Sequence, residues 1–483
     1  MSLQTKVVHS LFWVSLSTVI AKILNLITII VLARLLDPAD FGLVSISLIL
    51  VNFFEIFRDF GLGTALIYTK EDVKDEAANT AFIIFLIIAS ILYVILFFLA
   101  PIASDFFNEP KSERIITVIS LSILIWSFGA LPSILLRKEL EFKKKVIPDI
   151  IPKISYAIST IWLAVIGYGV WSLVLGRLFF EFISVVSNWS VISWRPKIKL
   201  NIKIATELIS YGKNVIWANV AVFLISIIDV IFVGRMLGII PLGFYTIALS
   251  IGTLFNVQIA QLIGMVIFPT YSKFQDDYGA IKNAYLKTLK FFSFFSIPAS
   301  LGIFVIAKNF IVVLYGEKWL PAVAVLQVLC VYGLGRGILY TTENLYLATG
   351  RPEISKKINF VQLILMSLLM YPFIQYYGIL GASFATMIPS IFMIVLTLHE
   401  AGKIIEESTI KIAAMLLSII ISSILMVGGL FAFQQFFVFM LPIYQQLFYS
   451  IVIGILLYVI FIWLLDRELL YDLKSLICRL RSH

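Results

Sequence analysis

Long apolar runs follow one another along the whole chain, and they constrain its fold more than any other feature. Each run holds about twenty residues and is bounded by charged residues, Pro or Gly. A helix of about twenty apolar residues crosses the hydrocarbon core of a bilayer. We therefore predict about fourteen transmembrane helices, at residues 10–33, 41–66, 80–104, 114–136, 148–167, 170–192, 208–234, 243–268, 288–307, 322–348, 358–376, 379–398, 411–433 and 445–465.

The composition supports an all-α integral membrane protein. Of the 483 residues, 61% are hydrophobic and only 13% are charged, against about 45–50% and about 25% in soluble proteins. Because so few polar residues cannot cover the surface of a soluble protein, most of the surface must face lipid. The short stretches between runs exclude a large extramembrane domain. The first run is too long for a signal peptide, and we interpret it as a retained span.

The loop charges predict the orientation. With the N-terminus placed in the cytoplasm, the inside segments hold 25 Lys and Arg residues and the outside segments hold six, which are Arg34, Lys111, Arg114, Arg235, Lys308 and Lys318. Cytoplasmic loops are rich in Lys and Arg, so we predict a multi-pass protein of the cytoplasmic (inner) membrane with both termini inside.

The chain repeats itself at offsets of 201, 214 and 209 residues. We therefore predict a six-helix half at 1–204, a second at 205–408, helices 13 and 14 at 409–466, and an amphipathic cytoplasmic tail at 467–483. Six spans are an even number, so the halves are parallel repeats, a transporter plan with the site at the repeat interface. At offset 201, Arg34-Leu35-Leu36 followed by Phe41-Gly42 matches Arg235-Met236-Leu237 followed by Leu242-Gly243. At offset 214, Arg137-x-Glu139 followed by Lys143 matches Arg351-x-Glu353 followed by Lys357. At offset 209, Tyr168-Gly169-Val170 matches Tyr377-Gly378-Ile379.

Several segments carry a family resemblance. They are Arg34 to Leu43, Asp59 to Ile67, Asp229 to Gly238, Leu242-Gly243-x-Tyr245, Phe268 to Gln275, Gly316 to Ala322 and Gly350-Arg351-Pro352. In these segments the chain resembles the polysaccharide transporter (Wzx-type oligosaccharide flippase) family of the multidrug/oligosaccharidyl-lipid/polysaccharide superfamily, in its colanic and teichuronic acid exporter branch. The resemblance covers residues 5–465, and Asp37 stands where the family usually has Gly.

The resemblance implies a fold and a function. It implies two six-helix bundles forming a V around a central cavity, with the last two helices outside, and transport by alternating access. It also implies a polyprenyl-pyrophosphate-linked oligosaccharide as substrate, flipped from the cytoplasmic to the outer leaflet for cell-surface polysaccharide biosynthesis. Membrane lipid is the other expected partner, and contacts with a polysaccharide polymerase and glycosyltransferases are expected; nucleic acid is not.

Charged residues inside the predicted spans are the candidate site residues, because a charge costs about 2.5–3.5 kcal/mol at mid-bilayer on insertion scales. Such a substrate has an anionic head, so bases should face the cavity. The proposed substrate-binding residues are Lys22, Arg58, Arg177, Lys213 and Arg336, and the residues proposed for ion coupling or ion pairs are Asp59, Glu181, Asp229 and Glu343.

Each candidate also has a structural interpretation. Glu55, Arg58 and Asp59 could neutralise one another, and Arg177 with Glu181 has the i,i+4 spacing of an intrahelical ion pair. Lys153 and Lys213 lie near predicted span ends and could extend to the interface.

Two further candidates lie in the second predicted half. Arg336 lies among three glycines whose commonest use is helix packing. Asp229 could couple transport to H⁺ or Na⁺, or pair with a base on another helix.

Two alternatives to a flippase follow from the sequence. A cation-coupled drug antiporter of the same superfamily should have more acids than bases in its spans, whereas here the acids do not outnumber the bases. An enzyme on the lipid carrier generally needs a sizeable extramembrane domain, which the loops do not provide, so we predict no catalytic residue. There is no Walker A sequence and no His pair with metal-ligand spacing. We therefore expect no cofactor, apart from H⁺ or Na⁺ if transport is coupled to an ion.

Overall fold

Helices make up the regular structure of the chain. A computed structural model describes residues 3–68, 75–138, 142–274, 277–437 and 441–469, and no strand occurs in these ranges. The helices are α1 (Leu3–Leu35), α2 (Pro38–Arg58), α3 (Leu62–Tyr68), α4 (Asp75–Phe107), α5 (Lys111–Lys138), α6 (Phe142–Val165), α7 (Val170–Val191), α8 (Ile202–Leu237), α9 (Ile239–Lys273), α10 (Tyr278–Leu314), α11 (Ala322–Ala348), α12 (Pro352–Ile405), α13 (Thr409–Met415), α14 (Leu417–Phe437) and α15 (Ile443–Leu465).

The apolar runs coincide with these helices, and the predicted all-α membrane fold is confirmed. Among the described residues, twelve helical stretches are long and apolar enough to cross a membrane. One of them is α12, whose 54 residues would extend about 80 Å if straight, more than twice the hydrocarbon thickness. The number of fourteen crossings stays a prediction. Residues 470–483, most of the predicted amphipathic tail, lie outside the described residues.

The turn inside α12 is made at Gly378, where φ is 57° and ψ is −135°. This backbone conformation is open to Gly and strained for other residues. Gly169, between α6 and α7, has nearly the same dihedral angles, 51° and −132°. These two glycines belong to the Tyr-Gly segments matched in the sequence. The matched segments therefore turn the chain in the same way, and α12 corresponds to two helices, as α6 and α7 do.

The chain divides into two compact units, residues 1–243 and 244–483. In the first unit, α4, α5 and α7 pack together, α6 packs on α1 and α7, and α8 packs on α2, α3 and α4. In the second, α11 packs between α10 and α12, and α14 and α15 pack on each other and on α10. This division follows packing, whereas the predicted boundary at 204 follows the repeat in the sequence and stays a prediction.

The first matched pair of repeat segments meets in space, within residues 1–243. A Cβ atom added to Gly42 would overlap the backbone carbonyl of Ile239, and one added to Gly243 would overlap the carbonyl of Pro38. Gly42 lies near the start of α2, and Ile239 begins α9. At the repeat offset of 201, Pro38 corresponds to Ile239 and Gly42 corresponds to Gly243. Each glycine therefore contacts the same position in the other copy, and the contact is reciprocal. Small residues allow helices to approach this closely within a membrane.

We expect Gly42→Ala and Gly243→Ala each to lower the stability of the protein, because each added methyl group meets rigid backbone rather than a movable side chain. Overpacking of this kind costs about 1–3 kcal/mol. Thermal unfolding in detergent measures the effect. Gly428→Ala in α14 is the matched control, because nothing lies within 4 Å of a Cβ atom there. Both glycines form one crossing, so the double variant should lose less stability than the two single losses added together. Equal Tm values for Gly42→Ala, Gly243→Ala and the Gly428→Ala control would contradict the prediction.

Candidate substrate cavity

A cavity of about 370 Å³ lies among α1, α2, α5, α6 and α7, inside the first unit. Most of its lining surface is apolar, but three basic residues and three uncharged polar ones line it. The lining residues are Ala21, Lys22, Asn25, Thr28, Val44, Leu48, Ile119, Lys153, Tyr156, Leu173, Arg177 and Phe180. The cavity therefore offers cations to a ligand inside a bundle of membrane-spanning helices.

The helix packing places these bases at one cavity. Thr160 on α6 lies so close to Gly176 on α7 that a Cβ atom at Gly176 would overlap its hydroxyl oxygen. This close approach brings the next residue, Arg177, to the wall that Lys153 lines from α6. On α1, Lys22 and Asn25 are three residues apart and share a face, as their spacing predicts.

Lys22 and Lys153 line the cavity outside the ion-pair network of Arg177, and the carboxylate that attracts Lys153, on Asp149, is itself paired with Lys145. Lys22 is exposed and Lys153 is half-buried, and neither has a carboxylate within 4 Å among the residues that the structure describes. An unpaired ammonium group in a low-dielectric surrounding attracts anions more strongly than it would in water. These two lysines are therefore free to bind an anionic group.

Arg177 belongs to a network of two arginines and two glutamates beside the cavity. Its Nη2 atom donates a 2.8 Å hydrogen bond to Oε1 of Glu55 and lies 3.7 Å from Oε1 of Glu181. The Nη1 atom of Arg58 lies 3.3 Å from the same Glu55 oxygen and 4.0 Å from the Glu181 oxygen. The formal charges cancel, and pairing of this kind offsets the cost of burying ions.

Not every donor of the network is used. The Nε atom of Arg177 and the Nη1 atom of Arg58 are buried and make no hydrogen bond to any described atom. The Arg58 guanidinium stacks 4.5 Å from the ring centroid of Trp126, a cation–π contact that holds it in place. Arg177 lines the cavity, so an arginine with an unused Nε–H donor stands beside the two lysines.

Two other candidates of the first unit, Asp59 and Asp229, do not line the cavity. The Oδ1 atom of Asp59 accepts a 2.9 Å hydrogen bond from the backbone N–H of Gly63, so Asp59 stabilises the start of α3. Asp229 in α8 is 2% exposed and accepts a 2.9 Å bond from the backbone N–H of Val230. The side chain of Lys213 lies outside the described residues.

Arg336 and Glu343 belong to the second unit, on α11. Arg336 is half-buried, and the structure describes no carboxylate paired with it. Glu343 accepts a 2.6 Å hydrogen bond from the hydroxyl of Ser355 on α12. The glycines around Arg336 serve helix packing, because added Cβ atoms would overlap Gly252 of α9, Ser390 of α12 and Phe292 of α10.

The second unit also contains an apolar cleft of about 530 Å³ between α10, α14 and α15. Its lining includes Phe294, Pro298 and Ile306 from α10, Met426 from α14 and Val459 from α15. Such a lining suits a hydrocarbon chain, and it offers no charge to a polar ligand.

The sequence missed two features of the cavity. Lys153 was placed five residues from a predicted span end, but α6 begins at Phe142, eleven residues before it. The earlier start could have been found from Lys143 to Lys145, which a helix tolerates where it leaves the membrane. The pairing of Glu55 with Arg177 joins residues 122 positions apart, and no local spacing indicates it.

We expect Arg177→Met to destabilise the protein by about 2–3 kcal/mol, because it leaves two carboxylates sharing one arginine. The loss should be smaller than the roughly 3–5 kcal/mol for a fully buried pair, since 32% of the Arg177 side chain is exposed. Adding Glu55→Gln removes the surplus charge and should recover part of the stability, which thermal unfolding would measure. If the double variant loses the sum of the two single losses, the network does not act as a unit.

The sequence of this chain is similar to known proteins over most of its length. Residues 31–324, more than half of the chain, match the family described as "Polysaccharide biosynthesis protein". The lipopolysaccharide biosynthesis protein WzxC of Escherichia coli (strain K12) is 28% identical over 368 residues, which cover 74% of this chain and 73% of that protein.

Solved structures agree on the fold. Lipid II flippase MurJ, in an inward closed conformation, matches with a TM-score of 0.79 and 20% identity, over 94% of this chain and 99% of that one. An inward-facing multidrug resistance transporter of the MATE family, in the MOP superfamily, matches with a TM-score of 0.63 and 17% identity, over 80% of this chain and 96% of that one. The match of residues 31–324 decides the family: this chain is a member of the polysaccharide biosynthesis protein family, as the motifs in its sequence predicted.

Proposed function

We propose that this protein is a flippase that moves a polyprenyl-pyrophosphate-linked oligosaccharide from the cytoplasmic to the outer leaflet by alternating access, for cell-surface polysaccharide biosynthesis. Its family is one of polysaccharide biosynthesis, and its fold matches that of a lipid II flippase over nearly the whole chain. The proposal needs no covalent step, and it assigns no catalytic residue.

The observation that carries the proposal is the unpaired lysines, Lys22 and Lys153, in a cavity enclosed by membrane helices. A pyrophosphate cannot enter hydrocarbon unpaired, because the transfer of an isolated ion costs many kcal/mol. Two ammonium groups and the spare donor of Arg177 replace part of its hydration by charge-assisted hydrogen bonds. The protein would thus lower the barrier for the head group while the lipid tail stays in an apolar environment.

A cation-coupled drug antiporter of the same superfamily is the alternative function. The MATE transporter matches this fold less well than the flippase does. The cavity charge also disfavours organic cations, because no carboxylate that the structure describes lines the cavity and the neighbouring Glu55, Glu181 and Asp149 are already paired with bases. A net positive cavity selects anions, so the flippase is the better reading of this site.

The direction of transport rests on the predicted orientation. We propose that the protein lies in the cytoplasmic membrane with both termini inside, which the excess of Lys and Arg in the inside loops supports. A C-terminal fusion to green fluorescent protein should fluoresce and one to alkaline phosphatase should be inactive; the opposite pattern would refute this topology. Contacts with a polymerase or glycosyltransferases stay a prediction, which co-purification from the native membrane would test.

We expect Lys22→Gln and Lys153→Gln each to slow flipping by about ten-fold to one hundred-fold, because each removes a charge-assisted hydrogen bond worth about 1.5–3 kcal/mol. The assay uses vesicles containing a fluorescent polyprenyl-pyrophosphate oligosaccharide, with an impermeant quencher that reports the outer leaflet. The loss should appear mainly as weaker substrate binding.

Matched controls separate charge from structure. Lys22→Arg keeps the charge and should retain most activity, and Lys403→Gln removes a lysine that is paired with Glu400 away from the cavity. Normal flipping by a Lys22→Gln/Lys153→Gln double variant that folds as the parent does would overturn the proposed site.

We further propose that Asp229 couples transport to H⁺ or Na⁺, since it is a buried carboxylate on α8, inside the span predicted at 208–234. Asp229→Asn keeps the shape of the side chain and removes its charge and its titration. We expect this variant to flip substrate at a rate that no longer varies with pH or Na⁺. An ion dependence like that of the parent protein would exclude the coupling role.

A further inference from the structure

The segment between α7 and α8 presents large apolar side chains to solvent. We call residues 192–201 the α7–α8 connector. Ile198 is 97% exposed and Leu200 is 50% exposed, and Ile202 at the start of α8 is 73% exposed. Ile198 stands at the tip of a three-residue turn closed by a 2.8 Å hydrogen bond from the Lys199 N–H to the Lys197 carbonyl. Aliphatic side chains this exposed gain free energy from any apolar surrounding.

The connector is fixed by its backbone, which leaves these side chains displayed. The Lys197 N–H donates to Oδ1 of Asn79, and the Asn201 N–H donates to Oγ1 of Thr80, at 2.6 and 3.1 Å. The Asn201 side chain donates to Glu76 at 2.9 Å and accepts from two N–H groups at the start of α8. Asn79 and Thr80 are buried. The exposed side chains therefore belong to a defined surface of the protein.

This surface lies at the level of a membrane interface. The connector begins where the candidate span of α7 ends, at Val191. It runs along residues 76–80 of α4, just before the apolar stretch that starts at Ala81. Trp189 and Trp194 stack at the same place, with ring centroids 6.1 Å apart, and Trp is typical of the layer between head groups and acyl chains.

The charged residues of the surface are mostly basic. Every charged residue from 192 to 203 is Lys or Arg, namely Arg195, Lys197, Lys199 and Lys203, and all four are exposed. The acidic neighbours are Asp75 and Glu76 on α4 and Glu207 on α8, and Glu76 is hydrogen-bonded to Asn201. Exposed aliphatic tips among lysines are the pattern of an interfacial anchor on anionic lipid.

The second unit carries a similar element. Ile202-Lys203-Ile204-Ala205 recurs as Ile410-Lys411-Ile412-Ala413, 208 residues later. As Asn201 caps α8, so the Ser408 side chain caps α13 by accepting from the Lys411 N–H. Ile410 is 80% exposed while Ile412 is buried, which matches the exposed Ile202 and half-buried Ile204. The exposed isoleucine is thus a repeated feature, present once in each unit.

We propose that the α7–α8 connector and the start of α8 form a binding surface for anionic phospholipid. Ile198, Leu200 and Ile202 insert among the upper acyl-chain segments, and Lys197, Lys199 and Lys203 contact the lipid phosphates. Ile410 makes the equivalent insertion in the second unit. This surface is distinct from the cavity that holds the proposed substrate.

Nitroxide labels test the insertion in the full-length protein, reconstituted in vesicles of phosphatidylcholine and phosphatidylglycerol. The background is Cys478→Ser, because the remaining Cys330 is buried. Labels on Ile198→Cys, Ile202→Cys and Ile410→Cys should be accessible to oxygen and protected from a water-soluble nickel relaxant, and a label on Lys199→Cys should be less protected. Equal exposure of positions 198 and 199 to the nickel relaxant would overturn the proposal and leave a protein partner as the occupant.

Lipid selectivity tests the charge. A Lys197→Gln/Lys199→Gln/Lys203→Gln variant should lose preference for spin-labelled phosphatidylglycerol over phosphatidylcholine, by up to about five-fold for each lysine. The matched control, Lys308→Gln/Lys318→Gln, changes lysines of the α10–α11 region and should keep the preference. An unchanged preference in the triple variant, with unchanged thermal unfolding, would refute lipid binding at this surface.

Discussion

The cost of an uncompensated charge in hydrocarbon governs the architecture of this protein. Backbone groups avoid that cost by forming helices in every described range. Side chains avoid it by pairing, and the first unit shows how far pairing goes. Glu55, Arg58, Arg177 and Glu181 come from two helices and reach formal neutrality within 4.0 Å of one another. Against this background, two lysines that make no ion pair with any described carboxylate are costly, and the proposed anionic substrate would offset that cost.

The neutral ion-pair network and the two lysines contribute differently to the cavity. The network joins α2 to α7 and holds Arg177 at the cavity wall, so its value lies in position more than in net charge. Lys22 and Lys153 lie on α1 and α6, outside this network. In the proposed site, a guanidinium held by two carboxylates and two flexible ammonium side chains would together suit a diphosphate, whose oxygens point in several directions.

Much of this could be predicted from the sequence, because hydropathy is a local property. The apolar runs located the helices, and the Tyr-Gly match located two turns that share one backbone conformation. The sequence also identified which residues carry charge inside the membrane. It could not identify their partners, because Glu55 and Arg177 are joined only by the packing of α2 against α7. Asp59 stays a predicted residue for ion coupling or ion pairs, and its carboxylate accepts a hydrogen bond from the Gly63 N–H at the next helix start.

The crossing at Gly42 and Gly243 has a meaning beyond close packing. Residue 42 meets residue 239, and residue 243 meets residue 38, so each copy of the motif presents to the other what it receives. Contacts of this form define the isologous interface of a two-fold symmetric homodimer. Here a single polypeptide holds such an interface within itself. The two copies can therefore differ in sequence at corresponding positions, as Asp37 differs from Gly238 and Phe41 from Leu242. Positions 42 and 243 cannot differ in this way, because the crossing leaves no room for a Cβ atom at either.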